Sequence, residues 1–267
     1  MALIKRNERS SHWYRWDGSS CHEVTAKTTG LPRATTVTDA RKLNLIPSVT
    51  NILGIKAKPA LDIWKLDKAI LAASNNPQKE GEPFDVWTSR IAEASEEETR
   101  KAAEWGTAIH AEIEEYNRTG AFPGKGEILD YVAGYDTWYR ENVVKVIDVE
   151  KSIVGDLGYA GRLDLHAMIR HEGRDRRAII DYKSQKLSGK AKGRFYPEWS
   201  MQLSAYAKPT VEPGEDPPLL VSILIPSDQP NLPVQVKVWD NMNEAYRAFE
   251  ACFDLWCFDK SYRPEKP

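Results

Sequence analysis

Cysteine is scarce in this chain, and its distribution limits the kinds of site that the protein can hold. There are three cysteines among 267 residues, Cys21, Cys252 and Cys257, and no two of them form a CxxC pair. This odd and widely spaced set argues against a disulfide framework and against a zinc knuckle. We therefore expect all three thiols to be reduced.

Long apolar runs and a strong net charge are also lacking. No apolar stretch approaches the length of a membrane span, and the first residues do not have the basic and apolar pattern of a secretory signal. These features predict a cytoplasmic protein without a membrane partner. The formal net charge of −2 excludes a globally basic nucleic-acid-binding protein but leaves room for a local basic patch.

Internal repeats, low-complexity tracts and the GxxxxGK[ST] loop of ATPases are missing as well, so any energy coupling would come from another protein. With 41% hydrophobic residues, the chain can bury a sizeable core. We expect residues 1–94 to form an N-terminal hairpin and a helical lobe. Residues 95–267 are expected to form the main core as one compact unit.

Helices dominate the first half of the chain. The stretch HWYRWDGSSCHEV, with an Asp-Gly pair at its centre, predicts a β-hairpin. Ser95 and Glu98 have the spacing of a capping box and predict the start of a helix. Three further positions predict helix ends, namely starts at Ser48 and Pro59 and a stop at Gly120.

The second half alternates helices and strands. After a helix over 127–142 come three runs with strand character, Val143–Val154, Ala160–Ile169 and Arg177–Tyr182. A helix from Pro197, the strands PLLVSILIP and LPVQVKVW, and a closing amphipathic helix follow. This order predicts an α/β (α+β) fold with a mixed central sheet flanked by helices.

Charged residues interrupt two of these strands. Asp164 lies inside one strand, and Asp181 and Lys183 close the next. The two-residue period of a strand places Asp181 and Lys183 on one face and Tyr182 on the other. A hairpin pairing of the two strands would bring the carboxylates of Asp164 and Asp181 together. On its own, however, an Asp-x-Lys sequence is a weak signal, and a solvated strand end is the alternative.

Converging carboxylates repel each other unless a cation lies between them, and oxygen ligands select Mg²⁺ or Mn²⁺. Two carboxylates, the backbone carbonyl of Tyr182 and phosphate oxygens of a substrate would complete such a site, with one or two ions. Lys183 would orient the attacking water or help to deprotonate it.

Four stretches, WGTAIHAEIEEY, VEKSIVGDLGYAGRLDL, IIDYKS and QLSAYA, occur in this order between residues 104 and 207. Their order and approximate spacing resemble the PD-(D/E)xK nucleases of the RecB-like exonuclease type. The upstream PSVTNILGIKAKPALDIW also resembles the lead-in of phage-borne and mitochondrial members. The resemblance implies a restriction-endonuclease-like core whose active site lies where the sheet splays open.

The resemblance also implies roles for individual residues. Asp164 and Asp181 match the metal-binding acids, and Lys183 matches the lysine of the final motif. His110 matches a helical histidine near the metal, with packing as the alternative. Glu150 resembles an acid that contacts a second metal or the water, and an ordinary surface acid is the equal alternative.

Two further residues match the QxxxY pattern on the helix after the lysine. Gln202 is expected to hydrogen-bond active-site groups or DNA, and Tyr206 to pack or to contact a phosphate. Some members carry four cysteines for an iron–sulfur cluster, but this chain has three, so we expect no cluster.

A basic loop, KSQKLSGKAKGRF, follows directly after this motif. Its exposed cations would hold DNA phosphates, and a simple solvated loop is the alternative. The candidate contacts are Lys186, Lys190, Lys192 and Arg194. Arg162 is a further candidate, with a surface position as its alternative.

Together these features predict a metal-dependent DNA exonuclease that hydrolyses phosphodiester bonds from DNA ends in phage-type recombination, repair or replication. Its expected partners are DNA and a single-strand annealing or single-strand binding protein, and related ring-forming phage exonucleases leave a homo-oligomer open. Two alternatives remain. One is a structure-specific or flap endonuclease on the same core, and the other is a catalytically inactive nucleic-acid-binding protein.

Overall fold

A computed structural model describes residues 12–267, with the backbone alone for Ala60 and Glu98. The described chain forms two compact units. One comprises residues 56–108, and the other combines residues 12–55 with residues 109–267. This division differs from the predicted boundary at residues 94 and 95. The reason is that the N-terminal segment contributes side chains, Trp13 and Ile52 among them, to the same core as the central sheet.

The described residues form seven α-helices, one short 3-10 helix at Lys208–Thr210 and nine strands. The helices are α1 Val37–Leu43, α2 Val49–Leu53, α3 Pro59–Asn75, α4 Phe84–Thr119, α5 Ile128–Asn142, α6 Pro197–Ala207 and α7 Met242–Lys260. The strands are β1 Trp13–Tyr14, β2 Glu23–Thr25, β3 Pro32–Ala34, β4 Ile46–Pro47, β5 Val143–Gly155, β6 Tyr159–His171, β7 Arg174–Gln185, β8 Leu219–Pro226 and β9 Gln235–Trp239. None of the helices in residues 12–267 combines the length and the apolar character needed to cross a bilayer.

A five-stranded mixed sheet, in the order β5-β6-β7-β8-β9, organises the larger unit. All neighbours are antiparallel except β7 and β8, which are parallel. The parallel pair needs a crossover connection, which α6 supplies. The mixed α/β architecture is therefore confirmed, and so is the predicted order of helices and strands from α5 onwards, whereas β3, β4 and α1 were not predicted.

Helices cover both faces of this sheet. On one face α2, α6 and α7 share a core with the sheet, in which Leu203, Phe249 and Phe253 are fully buried. Cys21 and Cys257 lie in the same core, and all three cysteines are free thiols. On the other face α5 contacts β5, β6 and β8, because its buried residues meet the opposite side of the strands.

The predicted N-terminal hairpin is confirmed around its turn, and its strands also pair with segments outside it. The N–H of Gly18 donates to the carbonyl of Arg15 at 3.0 Å, and Tyr14 forms a bridge with Ser20. In addition, β1 pairs with β4, and β2 pairs with β3. The reason is non-local, because the fully buried Ile46 of β4 offers β1 a partner within the core.

The predicted helix start at Ser95 is wrong, because α4 begins at Phe84 and continues through Ser95 without a break. The hydroxyl of Ser95 donates to the carbonyl of Ala92 at 2.9 Å, within the helix. By contrast, Ser48 caps α2 as predicted, since its hydroxyl accepts the N–H of Asn51 at 3.0 Å.

The other two predicted helix ends are confirmed. Helix α3 begins at Pro59. Helix α4 ends before Gly120, whose φ of +77° is a left-handed conformation that glycine adopts readily.

The same substitution is expected to have different effects at the two serines. Ser48→Ala should lower the free energy of unfolding by about 1 kcal/mol, because a cap is lost. Ser95→Ala should change it by less than about 0.5 kcal/mol, because alanine is favoured inside a helix. Urea denaturation of both variants checks this expectation, and equal losses would contradict the continuous helix.

Candidate active site

The sheet opens between β6 and β7 at the position of the two predicted acids. The last matched pair of this ladder is Leu165 with Ile180, although β7 stays paired with β8 beyond that point. There, the N–H of Tyr182 donates to Oδ2 of Asp164 at 2.8 Å. A carboxylate thus replaces a strand carbonyl as the acceptor, and Asp164 lies beside Asp181 at the opening.

A chain of polar contacts joins Asp181 to α6. Asp181 is 2% exposed, and its Oδ1 accepts a hydrogen bond from Nε2 of Gln202 at 3.0 Å. Nζ of Lys183 lies 2.6 Å from Oδ2 of Asp181 and forms an ion pair with it, although the angles of this contact do not meet those of a hydrogen bond. The same Nζ donates to Oε1 of Gln202 at 3.1 Å. The amide of Gln202 therefore fixes both the acid and the lysine.

Tyr206 lies next to Gln202 on α6 and helps to hold its amide in place. It is 4% exposed, and its hydroxyl accepts a hydrogen bond from Nε2 of Gln202 at 3.1 Å. A Cβ atom on Gly161 would lie 2.5 Å from Cε1 of Tyr206, so glycine allows the ring to approach β6. Burial raises the pKa of Tyr206, which keeps the hydroxyl neutral. Its contacts are those of a residue that positions Gln202 rather than of a surface phosphate contact.

Asp164 is the acid whose ionisation is most perturbed. Burial raises its pKa well above the ordinary range, and the charge of Asp181 raises it further. Lys183 and the N–H of Tyr182 act in the opposite direction. Although the residue keeps a partly exposed surface, protein atoms surround its carboxylate closely. One ammonium thus faces two carboxylates, and a further cation would stabilise the ionised form of Asp164.

Glu150 lies on β5 across from Asp164, because the residues on either side of each are paired. Its φ of +52° is left-handed, a strained conformation for a residue with a side chain. Its Oε2 lies 2.5 Å from Nε of Arg162. Burial raises the pKa of Glu150, Arg162 opposes this shift, and Asp181 adds to it. The predicted acid therefore belongs to the surroundings of the site.

Glu114 is an acid of this region that was not among the predicted site residues. Its Oε1 lies 3.7 Å from Arg162 and forms a closer ion pair with Arg118. Arg162, predicted as a DNA contact, has a side chain that is 52% exposed and already faces Glu150 and Glu114. A sequence signal for Glu114 exists, since it follows His110 by one helical turn and precedes Arg118 by another.

His110 lies at the edge of the site. Its ring is edge-on to that of Tyr182, with 6.0 Å between centroids. Burial lowers the pKa of His110, the charge of Asp181 opposes this effect, and Lys183 adds to it. A lowered pKa favours the neutral imidazole, which is the form that can bind a metal ion.

Tyr182 points away from Asp181 and Lys183, as the alternation of the strand predicts. Its hydroxyl lies 2.9 Å from that of Tyr135 and accepts a hydrogen bond from Nδ2 of Asn117 at 3.0 Å. Tyr135 in turn donates to Oδ1 of Asn117 at 2.6 Å. This closed ring of hydrogen bonds anchors β7 to α4 and α5 behind the site.

The basic loop after Lys183 is held by fixed contacts while its cations remain exposed. Asp228 accepts the backbone N–H groups of Leu187 and Ser188 at 2.8 Å each. The predicted contacts Lys186, Lys190, Lys192 and Arg194 are all exposed, and none forms an ion pair with an acid within residues 12–267. The loop therefore presents free positive charge next to Lys183.

The donor set fits a hard cation. In residues 12–267 no three His, Cys, Asp or Glu side chains are arranged to enclose a metal ion. Mg²⁺ does not require such an arrangement, because it is bound by one or two carboxylates and keeps several waters or phosphate oxygens. Oδ2 of Asp181 is buried beside the single ammonium of Lys183, and the pKa of Asp164 is raised. Both observations fit a cation between these two residues.

Asp164→Asn should increase the stability of the protein at neutral pH. The pKa of Asp164 is higher in the folded protein than in the unfolded chain, so its carboxyl group stabilises the fold at a pH below the unfolded pKa. This stabilisation is lost as the pH rises through the folded pKa. The gain of the variant should therefore shrink towards acidic pH in urea denaturation. Mg²⁺ should raise the melting temperature of the wild type but not of the variant.

The control for this variant is Asp156→Asn, whose carboxylate lies on the surface with a side chain that is 94% exposed. It should leave both the pH dependence and the response to Mg²⁺ unchanged. A gain for Asp164→Asn that is the same at acidic and neutral pH would refute the assigned ionisation of Asp164.

In its chemistry, the site combines two acids at a strand opening with an anchored lysine and an adjacent basic loop. Such a set can bind a divalent cation, hold a phosphate and orient a water molecule. Comparison of the chain with models of known protein families and with curated proteins finds no match. What the site does is therefore inferred from its own side chains.

Proposed function

We propose that the protein is a metal-dependent deoxyribonuclease of the PD-(D/E)xK type that removes nucleotides from DNA ends. The observation that carries this proposal is the meeting of Asp164, Asp181 and Lys183 where β6 and β7 separate. A solvated strand end would leave Asp181 and Lys183 in water. Instead Asp181 is buried, and Gln202 binds both of them.

Asp164 and Asp181 would hold one or two Mg²⁺ or Mn²⁺ ions, with His110, Glu150 and the carbonyl of Tyr182 as further ligands. The bound ion would polarise the phosphate and lower the pKa of a water molecule. The oxygen of that water would bond to phosphorus and its proton would pass to solvent, while the bond to the leaving ester oxygen breaks and the leaving oxygen takes up a proton.

Lys183 would act on the phosphate or on the water from a fixed position. Its ammonium is held between Oδ2 of Asp181 and Oε1 of Gln202, and the side chain is 24% exposed, so it can reach a substrate. The N–H of Tyr182 fixes the carboxylate of Asp164 in the same way. These groups are already oriented before substrate binds, which favours electrostatic stabilisation of the transition state.

The free cations of the basic loop support nucleic acid as the substrate, because phosphates along a strand would bind beside the site. A role in recombination, repair or replication, an annealing or single-strand binding partner, a cytoplasmic location and a homo-oligomer belong to the same proposal.

The proposal predicts cleavage of end-labelled linear DNA with Mg²⁺ or Mn²⁺ and none with EDTA, while a closed circle stays intact. A cut circle would instead indicate an endonuclease. Asp181→Asn and Lys183→Met should each reduce the rate on the order of a hundredfold or more, because charges that act on the transition state are lost.

A matched control for these variants exists on the surface. Asp156 and Lys266 form an ion pair at 2.9 Å in which the side chains are 94% and 69% exposed. Asp156→Asn and Lys266→Met should keep full activity. Circular dichroism must show that Asp181→Asn is folded, since a buried partner of Lys183 is altered. Wild-type rates for folded Asp181→Asn or Lys183→Met would refute the proposed site.

The basic loop has a separate test that does not require cleavage. Replacing Lys186, Lys190 and Lys192 with glutamine should weaken binding of single-stranded DNA in EDTA. The negative slope of log affinity against log salt should also become shallower, by about 0.7 for each lost phosphate contact. The control replaces three exposed lysines elsewhere, Lys27, Lys42 and Lys260. Equal slopes for both triple variants would place the DNA path away from the loop.

A further inference from the structure

Three aromatic residues lie where the basic loop leads into α6, and we call them the aromatic shelf: Phe195, Tyr196 and Trp199. The ring centroid of Trp199 lies 5.7 Å from that of Phe195 and 5.4 Å from that of Tyr196. All three residues are half-buried, so part of each stays open to solvent. The sequence signal is the run RFYPEW, which begins at the end of the basic loop and continues into α6.

The aromatic shelf adjoins the candidate active site through Lys183. Nζ of Lys183 lies 5.9 Å from the ring centroid of Trp199 while it also contacts Asp181 and Gln202. A group that rests on Trp199 would thus lie next to a phosphate held at Lys183.

The aromatic shelf is also rigid and flanked by positive charge. Phe195 and Trp199 pack against the hydrophobic core, which fixes their rings. The guanidinium of Arg194 lies over the ring of Tyr196, 5.1 Å from its centroid, and has no acidic partner in residues 12–267. Fixed rings lose little conformational entropy when a flat ligand stacks on them.

We propose that the aromatic shelf stacks on unpaired bases, so that the substrate is a single strand or a frayed single-stranded end. This inference rests on the proposed function and adds the substrate class. Every base has a π-face that an aromatic ring can bind, but in a duplex the neighbouring base pairs cover that face. The adjacent cations of the loop complement the phosphates of the same strand.

The test measures binding in EDTA, where cleavage is not required. The probes are a fluorescent oligothymidylate, the same backbone with abasic sites, and a hairpin duplex of equal charge. The wild type should bind the intact single strand about tenfold more tightly than the abasic strand or the duplex, since stacking of a base is lost in both.

Substitutions locate the effect on the aromatic shelf. Tyr196→Leu and Trp199→Leu should bind the intact strand as weakly as the wild type binds the abasic strand. Tyr196→Phe and Trp199→Phe keep a ring and should retain most of the preference. Phe258→Leu, at a position that is 81% exposed on α7, is the control and should change nothing. Melting temperatures confirm folding, and Tyr196→Leu carries the test if Trp199→Leu unfolds.

The outcomes separate this inference from the proposed function. Equal affinity of the wild type for intact and abasic strands would overturn the aromatic shelf, whatever the cleavage assay gives. A preference that survives Tyr196→Leu and a folded Trp199→Leu would overturn it as well. Base-dependent binding by a protein that cleaves no DNA would support the aromatic shelf and remove the proposed nuclease chemistry.

Discussion

Asp164 accepts the hydrogen bond that the N–H of Tyr182 would give to a strand carbonyl in an unbroken ladder. Buried N–H groups need an acceptor, so β6 and β7 can separate here only because a side chain supplies one. The parallel pairing with β8 keeps β7 in place beyond this point. The acceptor is a carboxylate, and the opening of the sheet therefore places two acids side by side.

This concentration of negative charge accounts for the arrangement around it. Lys183 balances Asp181, and Gln202 holds both of them. Tyr206 holds Gln202 in turn, and Gly161 leaves space for its ring. The position of the ammonium thus depends on contacts that run from β6 through α6 to β7. A buried ion pair is favourable only with such supporting hydrogen bonds, because desolvation of the charges is costly.

Local sequence patterns predicted what local forces determine. The cap at Ser48, the end of α4 at Gly120 and the shared face of Asp181 and Lys183 follow from residue type and strand period. The predicted helix start at Ser95 was wrong because the helix already begins upstream of Ser95, at Phe84. A competing cap signal cannot interrupt a helix whose flanking turns are all favourable.

Contacts between distant elements could not be derived in this way. The pairing of β1 with β4 depends on which side chains share the core. The left-handed φ of Glu150 and its ion pair with Arg162 require the register between β5 and β6. The resemblance implied that Gln202 would bond active-site groups or DNA, but nothing in the sequence specified its contact with Lys183.

The surroundings of the site differ in charge from one side to the other, which bears on how a strand could approach. On the side of β5, the arginines are neutralised, because Arg162 faces Glu150 and Glu114, and Arg118 shares Glu114. On the side of α6, the loop cations have no acidic partners within residues 12–267.

Free cations attract phosphates, whereas the field of a paired cation is largely cancelled by its acidic partner. Under the proposed function, the backbone would therefore follow the loop over the aromatic shelf. On the far side, Glu150 and Glu114 are already paired with arginines, so the phosphates would find no free cation there. Such an asymmetry favours one flexible strand over a duplex, since a duplex would bring a second row of phosphates towards the side that has no free cations.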